Sequence, residues 1–514
     1  MSLGPAGDVT YVRGFYKELS PTLLRAAAAM NGVAPPPAED FDYCELGCGN
    51  GDTLVALAAA YPRARFVGVD LSAEHIAFAR ALAASAGLTN VRLLEGDFEA
   101  LPPEALPQLD YVCAHGVWTW IAAAKRRALA AFAAAKLKPG GLLHVSYNAM
   151  PGWAAIEPMR RLLLDVSADV EGGPLARARR GIQIAQLLCD GGAEYFARNP
   201  ATRELLDTAI RAGLPYVVHE YFAEDWQPSY FADVAAQMAE HGLAFVGGLP
   251  LYLAVRALVL PASLGKAFEP VTDRLAFESL KDFATNEFFR RDVYVRGPAA
   301  RSEATWGRYL DATPFTTLVA PDAIKREVRL PHHALQLAGP LFDALVARLA
   351  EGQATVRELA ADPALAPFGL ERVRDGVVQL LLGEQVTPAL AGARPLPPAA
   401  PSDRARPGIP LAYNRAVLEQ RLSNKHPIVL ASPAAGTGVV VPPLQAVALR
   451  ALTMVEPQDR AAWIRAFVER EPLRLLVRER PVVDKAEQAA VVAAEVDSFE
   501  ARRLPKLIAL GIVA

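Results

Sequence analysis

Residues 41–148 alternate short apolar runs with longer segments in which apolar positions recur at helical spacing. This alternation is typical of a parallel β-sheet covered by helices on both faces, an α/β fold of the Rossmann-like type. The pattern predicts strands at residues 41–46, 65–70, 91–97, 110–115 and 142–148. It predicts helices at residues 52–60, 72–86 and 125–137, with Ser72 as the N-cap of the second.

The segment that follows is mainly helical. Residues 149–220 contain Pro-Gly breaks and no strand-like run. We therefore expect residues 156–225 to form a helical cap inserted into the domain. An amphipathic helix at residues 230–241 ends at Gly242.

Two short apolar runs, 244–247 and 251–257, come directly after this helix. We interpret them as a hairpin that closes the same sheet. The predicted domain then spans residues 41–257, after an N-terminal lid or helical segment at residues 1–40.

The second half of the chain is predicted to form further modules, because 514 residues are too many for one hydrophobic core. A mixed middle or regulatory domain is predicted at residues 258–335. Residues 336–395 give three helices and an extended stretch, an order that resembles a winged helix. A segment rich in proline at residues 395–410 is predicted to be a linker, and residues 411–514 a C-terminal helical module.

Charge and composition exclude some classes of protein. The net charge of -3 provides no general attraction for nucleic acid, and the helix predicted at residues 370–382 carries charges of both signs. We therefore expect no nucleic-acid partner. The chain shows no secretory signal and no apolar run long enough for a membrane span, and its four cysteines lack the spacing of a zinc site. We expect a cytoplasmic protein without a metal.

The strongest chemical signal is a glycine-rich loop between the first strand and the first helix. It reads Glu45-Leu46-Gly47-Cys48-Gly49-Asn50-Gly51. Glycines at this position let a ligand lie against bare backbone, as nucleotide-like ligands do. The loop alone therefore predicts a nucleotide-like ligand on a parallel sheet.

Two aspartates narrow this prediction. Asp70 ends the second strand, roughly 20 residues after the loop, where an acidic side chain can accept hydrogen bonds from two ribose hydroxyls. Asp97 ends the third strand, where it can accept from an adenine amino group, and Phe98 offers an apolar ring to the base. Together with Leu71, these residues predict a site for S-adenosyl-L-methionine, with S-adenosyl-L-homocysteine as product.

Two alternatives remain at this point. The aspartates could be helix caps and the glycines a turn. A nicotinamide cofactor is the other alternative, but its loop has two residues between the second and third glycines, and it leaves Asp97 without a role.

The order of these motifs resembles the class I methyltransferases. Three further segments resemble a bacterial subgroup with a methyltransferase regulatory domain, which includes protein-lysine methyltransferases of outer-membrane proteins. They are His115-Gly116-Val117-Trp118-Thr119-Trp120, Ser146-Tyr147-Asn148-Ala149-Met150-Pro151-Gly152-Trp153 and His219-Glu220-Tyr221-Phe222. The segment after Trp153, Ala154-Ala155-Ile156, is less polar than the subgroup's pattern, so the acceptor does not follow from the resemblance.

The resemblance implies roles for individual residues. Glu45 would orient the loop and the methionine amine, while Asp70 would hold the ribose and Asp97 the adenine. The three glycines, Gly47, Gly49 and Gly51, would give the close approach. His115 would lie beside the methionyl group, and Tyr147, Asn148 and Trp153 would face the methyl group that is transferred. Tyr11 and Tyr16 would fold across the cofactor as a lid.

Methyl transfer is an in-line displacement, so the enzyme must align a neutral nucleophile and exclude water. An aromatic channel would lower the pKa of an amine acceptor and stabilise a cation face-on. Trp118, Trp120, Trp153 and Tyr147 are candidates for that channel. Trp118 and Trp120 could instead be core aromatics, and His115 could be a structural histidine.

The resemblance implies a methyltransferase that acts on a protein lysine, and the modules beyond the catalytic domain favour a macromolecular substrate. Transfer to N or O of a small metabolite is an alternative, since a cap can enclose a small molecule. A regulatory protein that senses S-adenosylmethionine is a second alternative. A homodimer is one expected assembly, and no insertion into a membrane is expected.

Overall fold

The computed structural model describes residues 14–101, 106–392, 407–422, 426–471, 476–477, 480–482 and 484–514. Tyr11 and most of the predicted linker lie outside these residues. The described chain begins with a 3-10 turn at Lys17–Leu19 and helix α1 at Pro21–Met30. The proline at the first position of α1 starts the helix without losing a hydrogen bond.

A seven-stranded sheet forms the centre of the first half. Its strand order is β3-β2-β1-β4-β5-β7-β6, with β1 to β5 parallel and β7 antiparallel to both of its neighbours. The fold is therefore the predicted Rossmann-like α/β sheet. The strands are β1 (Asp42–Leu46), β2 (Arg65–Asp70), β3 (Val91–Glu95), β4 (Leu109–Ala114), β5 (Leu137–Asn148), β6 (Leu243–Gly248) and β7 (Phe289–Arg296).

Helices α2 (Asp52–Ala60), α3 (Ala73–Ser85) and α4 (Ala123–Lys136) connect the parallel strands. Strands β1 and β4 are buried along their whole length, because helices cover both faces of the parallel sheet. The predicted N-cap is confirmed, since the side chain of Ser72 accepts from the backbone N–H of His75. The first five strands were thus predicted to within a few residues.

The predicted cap is helical and has its own apolar core, which includes Trp153, Met159 and Leu163. Helix α10 (Phe231–Glu240) returns the chain from the cap to strand β6. The five cap helices are α5 (Glu157–Asp165), α6 (Gly173–Asp190), α7 (Glu194–Arg198), α8 (Pro200–Ala212) and α9 (Leu214–Tyr221).

The predicted closing hairpin is wrong. The run at 251–257 forms a 3-10 turn, Leu251–Ala254, and the start of helix α11, Arg256–Val259. Pro250, just before it, has no N–H for a sheet hydrogen bond. The partner of β6 is instead β7, which follows α12 (Gly265–Phe268) and α13 (Arg274–Thr285), so the sheet extends beyond residue 257.

The helices predicted for the winged-helix-like region are present, and Thr355 and Glu358 form a capping box at the start of one of them. Their extended stretch pairs with a short strand that precedes them, and the winged helix stays a prediction. The elements are α14 (Glu303–Ala312), β8 (Phe315–Thr316), β9 (Glu327–Arg329), β10 (Ala334–Gln336), α15 (Pro340–Glu351), α16 (Val356–Ala361), α17 (Leu370–Leu382) and β11 (Thr387–Pro388).

The C-terminal region is largely helical, and it also contains a hairpin of β12 and β13. A π-helical turn, Phe499–Arg503, links its last two helices. The elements are α18 (Ala412–Gln420), β12 (Ile428–Ser432), β13 (Thr437–Val441), α19 (Pro443–Met454), α20 (Arg460–Arg470), β14 (Leu476–Val477), β15 (Arg480–Pro481), α21 (Lys485–Ser498) and α22 (Leu504–Ala509).

The hairpin of β12 and β13 packs on helix α2 of the first domain. Helix α2 is apolar on nearly all sides, and every residue after Asp52 is buried, because one face lies on the sheet and another lies under the hairpin. Arg421, just after α18, forms an ion pair of 2.7 Å with Asp52. The hydroxyls of Ser20 and Thr437 lie 2.6 Å apart and share a buried hydrogen bond, so the hairpin also holds the N-terminal segment.

A group of buried charges joins α13 to β7. Arg290 donates to Asp282 at 2.6 Å, to Glu278 at 2.9 Å and to Asp292 at 3.1 Å, and Lys281 pairs with Glu278 at 2.7 Å. All five side chains are almost fully buried. Two cations thus offset the negative charge of three carboxylates at a place that solvent does not reach.

Replacing Arg290 with methionine is expected to lower the free energy of unfolding by about 3–5 kcal/mol, because buried carboxylates lose their main cation. Denaturant-induced unfolding measures the change. Arg161→Met is the control, since its ion pair with Asp165 is exposed to solvent, and it should leave the stability unchanged. Equal stability of the two variants would contradict the role given to the buried cluster.

Candidate active site

A cavity of about 790 Å³ opens at the carboxyl ends of the parallel strands, where ligands bind in open α/β sheets. The loops after β1, β2, β3 and β4 and the end of β5 form its floor. Gly14, Tyr16 and Glu18 of the N-terminal segment line another side. Cap helices α8 and α9 contribute Leu205, Tyr216, His219, Glu220 and Tyr221.

The glycine loop has a backbone that only glycine adopts readily. Gly47, Gly49 and Gly51 have φ values of 71°, 52° and 70°. A Cβ atom at Gly47 would lie 2.6 Å from Val117, and one at Gly51 would lie 2.8 Å from Ala79. Among the described residues, apart from Gly49 and its two chain neighbours, no atom lies within 4 Å of a Cβ placed at Gly49, so that position leaves room for a ligand against the backbone.

Glu45, at the end of β1, is buried, and its Oε2 atom has no hydrogen-bond partner among the residues that the structure describes. Burial, together with the charges of Asp70 and Asp52, raises the pKa of this carboxyl to about 8. A buried carboxylate without a partner requires a cation or a donor from elsewhere. The ammonium of a methionine group has the right charge.

Asp70, at the end of β2, is held by the backbone around it. Its Oδ2 accepts from the N–H of Gly49 at 2.8 Å and its Oδ1 from the N–H of Ser72 at 2.9 Å. Burial alone would raise the pKa of Asp70, but His75 and these two N–H groups together lower it. Asp70 is therefore ionised at neutral pH, and the exposed Leu71 lines the cavity beside it.

Asp97 and Phe98 also line the cavity. Lys125, in the first turn of α4, donates to Asp97 Oδ2 and lies 5.8 Å from the ring centroid of Phe98. The sequence interpretation missed this lysine. A positive charge in the first turn of a helix is disfavoured by the helix dipole. A lysine at that position therefore indicates that a carboxylate outside the helix stabilises it.

His115 lies between the floor and the N-terminal segment. The rings of His115 and Tyr16 have centroids 4.1 Å apart, and the backbone N–H of Tyr16 donates to Thr53. Burial lowers the pKa of His115 to about 4, so the imidazole is neutral at pH 7. Both residues line the cavity, and a lid that folds across the cofactor would need Tyr16 at this position.

The structure separates the two strand residues that were predicted to face the methyl group. Asn148 lines the cavity, whereas Tyr147 is fully buried in the core on the other face of the sheet, and its hydroxyl donates to Asp292 at 2.7 Å. Adjacent residues of a strand point to opposite faces, so only one of them can reach the cavity. The placement of Tyr147 at the methyl group is therefore wrong.

The tryptophans also fall into two groups, one in the core and one at the cavity. Trp118 is buried in the core behind the sheet, which makes it a core aromatic, whereas Trp120 and Trp153 line the cavity. The indole N–H of Trp153 donates to the carbonyl of Phe288 at 3.0 Å, and the two rings stack with centroids 4.6 Å apart.

One end of the cavity was predicted only in part, through Asn148 and Trp153. We call it the aromatic end; it is lined by Asn148, Trp153, Tyr216, Glu220, Tyr221 and Phe288. Glu220 had been used only as a family marker, and Phe288 lies beside a strand that the sequence interpretation missed. Arg291, which also lines the cavity, forms an ion pair of 2.7 Å with Glu18.

Two other features bear on the predictions. The described residues contain no cluster of side chains suited to a metal ion, and all four cysteines are buried and unpaired. Within the described part of the chain, no helix has both the length and the apolarity needed to cross a membrane.

Two family models match the chain. One is described as a methyltransferase domain and matches residues 44–141, which hold the glycine loop, Asp70 and Asp97. The other is described as a predicted methyltransferase regulatory domain and matches residues 214–296, from α9 through β7. These matches favour the S-adenosylmethionine alternative over the nicotinamide one.

Three similar proteins match the chain over different lengths. An uncharacterised protein of Synechocystis is 30% identical over 506 residues, which are 98% of each chain. Trans-aconitate 2-methyltransferase of Azoarcus is 30% identical over 227 residues, which are 40% of this chain and 82% of that one. The structure of PKMT2 from Rickettsia typhi in complex with AdoHcy has a TM-score of 0.72 and 18% identity, and the match covers 98% of this chain and 99% of that one.

The sheet, the loop and these matches define a class I S-adenosylmethionine-dependent methyltransferase with a methyltransferase regulatory domain. Its cofactor is S-adenosylmethionine. The chain belongs to the same family as the Synechocystis protein, which it matches over nearly its whole length.

Replacing Asp70 with alanine is expected to weaken binding of S-adenosylhomocysteine by roughly 10- to 100-fold, because a hydrogen bond to a charged group contributes about 1.5–3 kcal/mol. Isothermal titration calorimetry measures the affinity. Asp190→Ala, at an exposed ion pair of the cap, is the control and should bind normally. Unchanged affinity in Asp70→Ala would contradict the assignment of the ribose to this carboxylate.

The affinity for S-adenosylhomocysteine is also expected to depend on pH through Glu45. Because the pKa of Glu45 is about 8, its carboxyl is neutral below that pH and must lose a proton to receive an ammonium. Affinity should therefore rise by up to tenfold per unit between about pH 6 and 8. Glu45→Gln should remove this rise in calorimetric titrations, and a rise that persists in Glu45→Gln would assign it to another group.

Proposed function

We propose that this enzyme transfers the methyl group of S-adenosylmethionine to the side-chain amine of a protein lysine. The observation that carries the proposal is the aromatic end of the cavity, which combines aromatic rings with one buried carboxylate, Glu220. The name PKMT2 of the structurally similar Rickettsia protein is consistent with a protein-lysine acceptor.

Residues of the glycine loop and the strand ends would hold the cofactor. In this proposal Glu45 receives the methionine ammonium, Asp70 the ribose, and Asp97 with Phe98 the adenine. S-adenosylmethionine supplies an electrophilic methyl group and leaves as S-adenosylhomocysteine. The chain's own part is to bind, to orient the acceptor and to exclude water.

The charges around the cavity favour a cationic acceptor. Seven carboxylate side chains line the cavity, but only two lysine or arginine side chains do, and both of these are paired with carboxylates. Such a negative field attracts an ammonium and repels an anion. It is therefore poorly suited to a tricarboxylate such as trans-aconitate.

The aromatic rings would serve the acceptor in two ways. An apolar surrounding disfavours the ammonium form of an amine and so lowers its pKa, which helps to generate the neutral nucleophile. The faces of Trp153 and Phe288 can also stabilise the positive charge of the product amine. Both effects apply to a lysine side chain.

The rest of the chain supports a macromolecular substrate. Regions after residue 296 contact the N-terminal segment that lines the cavity: Lys17 pairs with Glu384 at 2.6 Å. These additional regions offer surface on which a protein substrate can dock, whereas a small metabolite needs no such surface. Transfer to N or O of a small metabolite is the second candidate, favoured by the match to trans-aconitate 2-methyltransferase.

The test is transfer of labelled methyl from S-adenosylmethionine into a cell lysate that is then separated into protein and small-molecule fractions. We expect label in the protein fraction and its recovery as N-methyllysine after acid hydrolysis. Trp153→Ala should lower this incorporation at least tenfold, because the acceptor loses an aromatic wall. Label found only in small molecules would reject the protein-lysine proposal in favour of the metabolite.

A further inference from the structure

We infer that Glu220 is the group that takes the proton from the acceptor amine, and that Asn148 positions it for this step. The inference rests on the proposed function, in which the acceptor is an amine, and it names the residue that deprotonates this amine. Glu220 stands in the last turn of α9, and its side chain lines the aromatic end.

The carboxylate of Glu220 is held at one oxygen and open at the other. Its Oε1 accepts from the Asn148 side-chain amide at 3.0 Å. The backbone N–H of Asn148 in turn donates to the buried hydroxyl of Thr119 at 2.8 Å. Among the described residues, nothing donates to Oε2 of Glu220, which leaves that atom for a ligand in the cavity.

The cavity contains two buried carboxylates for which the described residues provide no cation. The other acidic residues that line it are exposed, as Glu74 is, or are paired with a basic side chain. Glu45 and Glu220 are the exceptions. Glu45 lies at the end of β1, whereas Glu220 contacts Asn148 at the end of β5, two strands away in the sheet, so the two carboxylates mark different ends of the cavity. The reaction brings two ammonium groups into this cavity, one on the cofactor and one on the acceptor. Each end therefore has one carboxylate for one ammonium.

Four other ionisable groups of the cavity are unsuited to this role. Tyr216 and Tyr221 have pKa values raised by burial, so both phenols remain neutral. Arg291 is occupied by Glu18, and His115 is too weak a base because burial lowers its pKa to about 4. His219 is the neighbour of Glu220 on α9 and also lines the cavity.

Burial raises the pKa of Glu220 to about 7, although the hydrogen bond from Asn148 lowers it. A base with a pKa near the working pH is the most effective in proton transfer. In this step an N–H bond of the acceptor ammonium breaks and an O–H bond forms on Glu220. The nitrogen regains its lone pair, and Glu220 later gives the proton to water.

The decisive variant is Glu220→Gln, which keeps the size of the side chain and an oxygen that can accept from Asn148. Its rate of N-methyllysine formation, with the lysate protein fraction as acceptor, is expected to fall roughly 100- to 1,000-fold at pH 7. The wild-type rate should level off above about pH 7. The variant's rate should instead keep rising tenfold per unit towards about pH 10, where lysine itself loses its proton.

Two further variants test whether the carboxylate and its position matter. Glu220→Asp retains the base and should keep the plateau above pH 7 at a lower rate. Asn148→Ala should shift the onset of the plateau to higher pH, because Glu220 loses the hydrogen bond that stabilises its charge. Loss of the plateau in Glu220→Asp would count against the inference. Glu224→Gln, at an exposed position after the same helix, is the control and should behave as the wild type.

A binding measurement without turnover separates this inference from the proposed function. We expect n-butylamine, a mimic of the lysine side chain, to bind the protein loaded with S-adenosylhomocysteine at least tenfold more tightly in the wild type than in Glu220→Gln. If the wild type forms N-methyllysine but Glu220→Gln keeps its rate, pH profile and amine affinity, the inference fails alone. If the wild type forms no N-methyllysine and binds no butylamine, both fail.

Discussion

The carboxylate of Asp70 ties the loop after β1 to the end of β2, and the geometry of the site depends on this link. Asp70 accepts from the backbone of Gly49 on one side and of Ser72 on the other, so it fixes the glycine loop against the start of α3. Because β1 and β2 are parallel neighbours, their ends lie at the same edge of the sheet. A single side chain thus shapes the loop and still faces the cavity.

The sequence was informative where local pattern decides the structure. The first five strands, the glycine loop and the aspartates at the strand ends were predicted, because short apolar runs alternate with helical spacing along this part of the sequence. Strand β7 was missed because Arg290 and Asp292 make it look like a surface segment, although both charges are buried and paired. Tyr147 was misplaced because its motif was interpreted without the alternation of side chains along a strand.

The pairing of Asn148 with Glu220 at the aromatic end lay beyond sequence reasoning for a different reason. Asn148 and Glu220 are separated by 72 positions in the chain, and only the folding of the cap brings them to 3.0 Å. Neither residue belongs to a spacing pattern that would indicate a pair. Their contact instead reflects how the cap closes over the sheet, so chemistry at the acceptor depends on the cap as much as on the sheet.

The hairpin of β12 and β13 lies on the back of α2, the helix that begins directly after the glycine loop. Helix α2 has almost no polar surface of its own, so it cannot face water without this cover. We therefore expect the smallest stable unit that binds the cofactor to be larger than the methyltransferase domain. A shortened protein that ends before the hairpin would expose an apolar helix beside the cofactor loop and would tend to aggregate.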